Sequence, residues 1–372
     1  MAGPVLPAYG SGALSDVSPA VLTALGVAGG STVLDLPASR HVRLLLVDGM
    51  GQELLRAHPE DAPFLTSLSG RTITAGFPAT TAASLASVGT GLPPAAHGIV
   101  GLSFEIGADV PMNALAWSDG DDDLRSRFPP ERMQPTRTAF ERMVADGVRV
   151  GLGVPAKHAG SGLTRAVLRG GDVRGILALG DLAAFASEPP DGDRTFRYAY
   201  HGDLDMLGHV FGPGSEPWRM QLAQVDQLAR SIAERLPPGG LLLVTADHGM
   251  IRAGEPVDVE ALTDGVRLLA GEPRARHVYA EPGAAADVLA GWREVLGDRA
   301  WVLSRNEAVA AGWFGPGLTD RIASRIGDVV AAARGDTVLV APRAEPMLSA
   351  LAGQHGSLTE AELRIPLLTY RA

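Results

Sequence analysis

Two aspartates and a histidine lie close together in the stretch GDLDMLGHVFGP, which begins at Gly202. Asp205 and His209 are four positions apart, so a helical turn brings both side chains to the same face. A carboxylate and an imidazole on one helical face are suitable ligands for a transition metal. This stretch therefore predicts one part of a metal site.

Two apolar runs elsewhere in the chain end in further metal-ligating residue types. The run VRLLLV ends in Asp48, and the run GLLLVTA ends in Asp247 and His248. In open α/β sheets, ligand sites lie beyond the carboxyl ends of the strands. We therefore predict that these three side chains bind a second ion.

The first ion needs one more ligand, and we assign His355 in the motif GQHGS to it. Because the chain contains no cysteine, any metal must be held by oxygen and imidazole ligands. Zinc fits such ligands well, and Mn²⁺ is the alternative. We expect two Zn²⁺ per chain, since two ions about 3.5–4 Å apart clamp both oxygens of an in-line phosphoryl displacement.

The elements that position these residues alternate between strands and helices. Continuous apolar runs predict buried strands, and an amphipathic pattern that stops at PPGG predicts a helix over 216–236. The pattern is typical of an α/β fold with a central, mostly parallel sheet and helices on both faces. The predicted strands are 42–47, 148–153, 240–246, 337–341 and 365–370.

One segment is predicted to be an insertion. Residues 253–345 separate TADHG from GQHGS and carry their own strand and helix patterns, so we predict a smaller inserted cap there. The catalytic core then comprises 1–252 and 346–372. The polar segment 105–136 is predicted to be rich in loops and to line the substrate entrance.

A long uncharged segment is predicted to contain a buried helix. Residues 72–104 include no Asp, Glu, Lys or Arg, but prolines and glycines exclude a membrane helix. Thr80 and Thr81 lie where the helix begins, and a helix N-terminus favours an anion. A threonine hydroxyl there could attack phosphorus.

The overall charge and the N-terminal sequence exclude several classes of partner. A net charge of −10 argues against binding to duplex nucleic acid or to anionic membranes. The first basic residue is Arg40, so the charged start of a secretory signal is absent, and the apolar run before it is too interrupted to span a membrane. We expect a cytoplasmic protein whose partner is a small phosphate ester or nucleotide; its oligomeric state is not indicated.

These motifs together resemble the alkaline phosphatase superfamily, most closely its nucleotide pyrophosphatase/phosphodiesterase branch. The resemblance is carried by DGMG, FPATT…TGLPPAAHGIVG, DLDMLGHVFGP, TADHGM and HGSL, in that order between residues 42 and 372. It implies an alkaline phosphatase-like core. It also implies one zinc on Asp205, His209 and His355 and another on Asp48, Asp247 and His248, toward which the nucleophilic threonine also bridges.

The resemblance further distinguishes the two threonines. In the family the nucleophile precedes TGL by nine residues, which selects Thr81 over Thr80 as nucleophile and metal-bridging residue. One position departs from the family pattern: Leu102 stands where an asparagine commonly holds a phosphate oxygen. Asn113 is our candidate for a replacement substrate-binding residue, and a backbone N–H is the alternative.

Three functions follow from this sequence. The first is a metal-dependent phosphodiesterase or nucleotide pyrophosphatase that acts through a phosphothreonine intermediate. The second is a phosphomonoesterase, phosphonate hydrolase or phosphomutase on the same core. The third is a metal-bound binding protein without turnover. A sulfatase is disfavoured, because a threonine stands where that class needs a modified cysteine or serine.

Overall fold

The computed structural model describes residues 3–107 and 109–372. The first strands in chain order are β1 (His41–Val47), β2 (Ser69–Thr74), β3 (Ser103–Glu105), β4 (Pro111–Asn113), β5 (Ser118–Asp119), β6 (Asp122–Asp123), β7 (Arg149–Pro155), β8 (Asp172–Ile176), β9 (Thr195–His201) and β10 (Leu241–Thr245). Those that follow are β11 (Ile251–Arg252), β12 (Pro256–Asp258), β13 (Val266–Glu272), β14 (Ala275–Ala280), β15 (Ala300–Ser304), β16 (Val329–Ala333), β17 (Val338–Val340), β18 (Gly353–Gln354) and β19 (Arg364–Arg371).

The helices alternate with these strands through most of the chain. In the first half they are α1 (Val17–Ala24), α2 (Gln52–Ala57), α3 (Pro63–Ser67), α4 (Thr81–Thr90), α5 (Pro94–His97), α6 (Pro130–Met133), α7 (Ala139–Ala145), α8 (Gly162–Val167) and α9 (Leu179–Ala186). In the second half they are α10 (Asp203–Phe211), α11 (Glu216–Ala233), α12 (Ala285–Leu296), α13 (Arg305–Ala310), α14 (Asp320–Ala323), α15 (Pro346–Ser349) and α16 (Glu360–Leu363).

A seven-stranded sheet forms the centre of the molecule, in the order β2-β19-β10-β1-β9-β7-β8. The five strands from β10 to β8 are parallel, whereas β19 runs antiparallel to both β10 and β2. The predicted α/β fold with a mostly parallel central sheet is therefore confirmed. No helix in the described ranges is long and apolar enough to cross a membrane.

Most of the predicted elements are present, with two differences. The segment predicted as strand 337–341 forms β17, which pairs with β12 in a separate two-stranded ladder. Three strands of the central sheet, β2, β8 and β9, were not predicted from the sequence, although β9 lies between β1 and β7. Arg197 interrupts the apolar pattern of β9, and an ion pair with Glu188 at 2.9 Å accompanies its burial.

The segment predicted as the cap, 253–345, contains a second sheet of four strands, in the order β13-β14-β16-β15. Around this sheet and α12 lies an apolar cluster separate from the main core. Other side chains of the segment join the main core: Trp313 and Phe314 pack against Phe77, with ring centroids 5.0 and 5.3 Å apart. The boundaries of the cap stay a prediction.

The hairpin between β13 and β14 reaches into the core. Arg274 at its tip donates two hydrogen bonds, of 2.9 and 2.7 Å, to the carboxylate of Glu362 on α16, and both side chains are fully buried. The same carboxylate accepts the Ser357 N–H at 3.0 Å. A buried ion pair thus joins segment 253–345 to α16.

Candidate metal centre

The candidate site lies at the carboxyl ends of three neighbouring strands, β9, β1 and β10. Asp48 directly follows β1, Asp247 lies two residues after β10, and α10 begins shortly after β9. The Asp48 N–H donates to the His201 carbonyl at 2.9 Å, and the Gly49 N–H donates to Asp247 Oδ1 at 3.1 Å. These hydrogen bonds fix the turns from which the predicted ligands project.

Both the backbone conformation and the close packing at position 49 favour glycine. Its φ of +73° lies in the left-handed region, and a Cβ atom there would lie 3.0 Å from Asp205 Oδ1. The glycine therefore lets α10 approach the end of β1. This close approach brings Asp205 to the same place as Asp48.

The first candidate ligand group comprises Asp48, Asp247 and His248, all of which are buried. His248 Nε2 lies 3.3 Å from Asp48 Oδ1 and 3.4 Å from Asp247 Oδ2. The three side chains predicted to bind one of the two ions are therefore brought together, with their ligand atoms within 4.8 Å of one another.

The second candidate group is built around Asp205. His209 Nε2 lies 3.3 Å from Asp205 Oδ2 and 3.2 Å from His355 Nε2, and His355 Nε2 is 3.8 Å from Asp205 Oδ1. His248 also belongs geometrically to a group with Asp205 and His355. The rings of His248 and His355 stack with centroids 3.6 Å apart, so the two groups adjoin.

The three histidines share one hydrogen-bonding pattern. In each ring Nδ1 donates to a backbone carbonyl: that of Gly353 for His209, Gly249 for His248 and Ala79 for His355, at 2.8–3.0 Å. This hydrogen bond fixes the tautomer and leaves the Nε2 lone pair facing the site. The facing Nε2 atoms of His209 and His355 then repel each other unless a cation or proton lies between them.

The carboxylates provide a second test of whether the residues fit a metal. One oxygen of each aspartate, namely Oδ1 of Asp48, Oδ1 of Asp205 and Oδ2 of Asp247, is buried without a hydrogen-bond partner among the described residues. Buried charged oxygens are costly unless they are paired or bind a metal. Orphaned oxygens next to converging Nε2 atoms are what two divalent cations would require, so the residues fit the predicted metals.

Thr81 is the first residue of α4, a helix buried along its whole length. Its Oγ1 lies 3.2 Å from His248 Nε2 and 3.5 Å from Asp48 Oδ2. A hydrogen bond of 2.8 Å from Ser84 Oγ to the Asp247 carbonyl ties this helix to the end of β10. The hydroxyl of Thr81 is thus held beside the first ligand group.

Thr80 lies at the N-cap position of α4, but its hydroxyl does not cap the helix. Its side chain instead lies beside the carboxyl group of Glu272, at the end of β13. The two threonines therefore have different surroundings, and Thr81 is the one whose hydroxyl adjoins the predicted ligands.

Two tyrosines of β9 lie beneath the site. The Tyr200 hydroxyl donates to Asp48 Oδ2, and the buried Tyr198 hydroxyl has no partner in the part of the chain that the structure describes. Burial and the nearby charge of Asp48 raise the pKa of Tyr200, so this group remains a hydrogen-bond donor at neutral pH. Tyr200 holds one oxygen of Asp48 and leaves the other directed at the site.

Burial and mutual repulsion shift the pKa values of carboxyl groups around the site. The pKa of Asp48 is raised, first by burial and then by the charges of Asp247 and Asp205. Burial also raises the pKa of Glu272 to about 8. Both groups retain a proton at pH values at which an unfolded chain would lose it.

These shifts predict how the stability of the metal-free protein depends on pH. A raised carboxyl pKa contributes stability that is fully present below the unfolded pKa and is lost as pH rises through the folded pKa. We expect the melting temperature to fall between pH 7 and pH 9, with Glu272 contributing about 1 kcal/mol per pH unit below its folded pKa. Thermal unfolding measured by circular dichroism over this range tests the expectation.

Glu272→Gln is the matched variant, because it keeps the shape of the side chain and removes the titration. The fall in melting temperature should be smaller in this variant than in the parent protein. A metal-free parent protein that becomes more stable from pH 7 to pH 9 would contradict the prediction.

The remaining residues singled out in the sequence lie elsewhere. The Asn113 carboxamide oxygen accepts the N–H groups of Leu115 and Ala116, and Asn113 is not among the described residues that line the cavity beside Thr81. Leu102 is buried near the same hairpin, where its carbonyl accepts the Ala114 N–H. A substrate-binding role for Asn113 stays a prediction.

Comparison with known families decides the relationship of this chain. The sequence profile described as type I phosphodiesterase/nucleotide pyrophosphatase matches residues 42–358, which is most of the chain. The chain belongs to this family. The resemblance inferred from the sequence motifs is thereby confirmed, and the match includes every predicted metal ligand.

Curated relatives match the chain over shorter stretches. The chain is 30% identical over 171 residues to a phosphopentomutase of Anaeromyxobacter dehalogenans strain 2CP-1, covering 44% of this chain and 42% of that protein. It is 35% identical over 118 residues to a phosphopentomutase of Anaeromyxobacter sp. strain K, covering 31% and 28%. The chain thus spans less than half the length of these relatives.

Solved structures share the fold of this family member. Murine ectonucleotide pyrophosphatase/phosphodiesterase 5, in an inactive form in complex with AMP, superimposes with a TM-score of 0.68 at 16% identity, covering 88% of this chain and 87% of that chain. Phosphonoacetate hydrolase from Sinorhizobium meliloti 1021, in complex with phosphonoformate, gives 0.68 at 18% identity and covers 90% of each chain. At these identities the likeness shows the fold alone.

Proposed function

We propose that this protein is a two-metal hydrolase of phosphate esters, most directly of phosphodiesters or nucleotide pyrophosphates, and that it uses Thr81 as nucleophile. The observation that carries the proposal is the position of the Thr81 hydroxyl, 3.2 Å from His248 Nε2 and beside orphaned carboxylate oxygens. Family membership supports the same reaction class. Zinc is the proposed metal, with Mn²⁺ as the alternative.

The residues divide into two proposed ligand sets. Asp205, His209 and His355 would hold one ion, whereas Asp48, Asp247 and His248 would hold the other beside Thr81. A bound dication supplies Lewis acidity, which favours the threonine alkoxide and neutralises charge on the phosphoryl oxygens.

The chain's own residues would then position the reaction. Thr81 attacks phosphorus as the bond to the leaving group breaks, and a phosphothreonine forms. The positive dipole end of α4 favours the negative charge that collects there. Attack of water on phosphorus then breaks the bond to the Thr81 oxygen, which regenerates the hydroxyl and releases a phosphate monoester from a diester substrate, or inorganic phosphate from a monoester. Two successive displacements retain the configuration at phosphorus overall.

Specific observations support two other candidate functions. The matched curated relatives named phosphopentomutase and the shared fold of phosphonoacetate hydrolase favour a monoesterase, phosphonate hydrolase or mutase on this core as the second candidate. Leu102, in place of the family asparagine, is the feature that favours a binding protein without turnover. For each candidate the proposed ligand is a small phosphate-containing molecule, and the cytoplasmic location stays a prediction.

A rate comparison separates these candidates. We expect metal-loaded protein to hydrolyse bis-(p-nitrophenyl) phosphate faster than p-nitrophenyl phosphate, with both followed by release of p-nitrophenolate. A preference for the monoester would favour the second candidate. If neither ester is hydrolysed with Zn²⁺ or Mn²⁺, the proposed function is wrong.

A further inference from the structure

A cavity of about 280 Å³ opens beside the proposed nucleophile, with Asp48, Thr81 and Asp205 among its lining residues. Much of its wall is aliphatic, formed by Leu85, Leu115, Val154, Leu163, Leu168 and Met206. Pockets for drug-sized ligands are commonly about 300–1,000 Å³. This cavity therefore suits a small organic group attached to the phosphorus.

The aromatic residues of the cavity do not form a slot for a planar base. Tyr198 and Tyr200 contribute the phenol rings of the lining and His158 an imidazole, and the hydroxyl of Tyr200 is bonded to Asp48. Both tyrosines lie on β9, so they do not face each other across the cavity. An aliphatic group fits this wall better than a stacked ring system.

Lys157 lines the same cavity, and it is the only lysine of the chain. It lies in a short 3-10 turn, Ala156–His158, directly after β7 and therefore at the same edge of the central sheet as the site. Lys157 forms no ion pair within residues 3–107 and 109–372, whereas the nearby Arg165 pairs with Glu131 at 3.0 Å. Its ammonium group is therefore available to a ligand.

The other charged residues of the lining are acidic. Asp48 and Asp205 belong to the proposed ligand sets, and Asp203 is exposed at the cavity. A ligand with a second negative group would be repelled by Asp203 unless a cation lay nearby. Lys157 supplies that cation, and the flexible stem of a lysine can follow an apolar wall while its charge stays in water.

We propose that Lys157 determines specificity by binding a second anionic group on the substrate, at the far end of a short aliphatic chain from the reacting phosphorus. This inference rests on the proposed function for the placement of the phosphoryl group. The substrate class is a small aliphatic phosphoester or phosphonate that also carries a carboxylate or another phosphoryl group. Lys157 itself takes no part in bond making or breaking.

The test measures binding, so it does not depend on turnover. Isothermal titration of metal-loaded protein would compare three ligands of similar length: butylphosphonate, 3-carboxypropylphosphonate and propane-1,3-diphosphonate. We expect at least one of the two doubly anionic ligands to bind about tenfold more tightly than butylphosphonate, which corresponds to about 1.4 kcal/mol. The ligand with the larger gain identifies the second group as carboxylate or phosphoryl.

Three variants assign the preference to Lys157. Lys157→Ala should abolish the difference between the ligands and leave the Kd of butylphosphonate unchanged, and Lys157→Arg should keep most of the difference. Arg165→Ala removes the same charge from a neighbouring exposed position and should change neither value.

The inference is overturned if neither doubly anionic ligand is preferred, or if a preference survives in Lys157→Ala. Both outcomes are distinguishable from failure of the proposed function, which appears as absence of hydrolysis in the nitrophenyl ester assay. A protein that shows the preference and does not hydrolyse esters would be a binding protein with the same specificity.

Discussion

Thr81→Ala should lower turnover by about four powers of ten or more and leave the bound metals in place. Loss of a nucleophile commonly has an effect of this size, because the covalent route is lost completely. The Thr81 side chain is buried at the start of α4, and the smaller alanine side chain fits the same position without distorting the helix. Steady-state kinetics with bis-(p-nitrophenyl) phosphate and elemental analysis of the variant measure the two quantities.

Two further variants separate a chemical role from a structural one. Thr81→Ser should retain part of the rate, since it keeps a hydroxyl beside His248. Thr80→Ala removes the neighbouring hydroxyl, which contacts Glu272 rather than the ligands, and should cost far less activity.

The covalent intermediate can be located directly. Acid quench during turnover, followed by peptide mass mapping, should find a phosphoryl group on Thr81. A phosphoryl group on Thr80, or inversion at a chiral phosphorus, would show that the assignment of the nucleophile is wrong.

His248→Ala should have the largest effect on metal content. His248 Nε2 lies 3.3 Å from Asp48 Oδ1, and its ring stacks on His355 at 3.6 Å, so this residue adjoins both ligand sets. We expect metal content to fall from about two ions per chain toward zero, with activity lost by several powers of ten. Elemental analysis after dialysis and activity assays with added Zn²⁺ measure both effects.

His209→Ala provides the contrast, because His209 contacts the second ligand set alone. Its activity should recover in part when the metal concentration is raised. His41→Gln is the control, since His41 contacts Thr195 at the opposite end of β1 and should keep its metal and its activity. Full metal content in His248→Ala would contradict the proposed ligand sets.

The sequence was sufficient to predict the residues that lie at strand ends and on a helical turn. Asp48 and Asp247 follow apolar runs, and parallel strands bring such positions to one edge of a sheet. Asp205 and His209 share a helical face over a short sequence distance. These relationships are local or follow from the general geometry of α/β sheets, so they can be predicted without a structure.

Other residues around the site could not be predicted, since their contacts join distant parts of the chain. Tyr200 meets Asp48 across the register of β1 and β9, and β9 itself was missed because Arg197 interrupts its apolar pattern. Glu272 lies in the segment predicted as the cap, 192 positions after Thr80 in the sequence. Its carboxyl group nevertheless lies beside the Thr80 side chain. Lys157 stands out in the sequence as the only lysine, but nothing in the neighbouring sequence predicts that it lines a cavity.

The buried ion pair between Arg274 and Glu362 limits how this protein can be modified. Glu362 also accepts the Gly249 N–H through its carbonyl and the Ser357 N–H through its carboxylate, so it braces the loops that carry His248 and His355. Removing one partner of a buried pair leaves an uncompensated charge and costs about 3–5 kcal/mol. Segment 253–345 is therefore coupled to the candidate metal centre. A chimera or truncation that replaces this segment must supply a guanidinium at the hairpin tip to keep the loops that carry His248 and His355 in place.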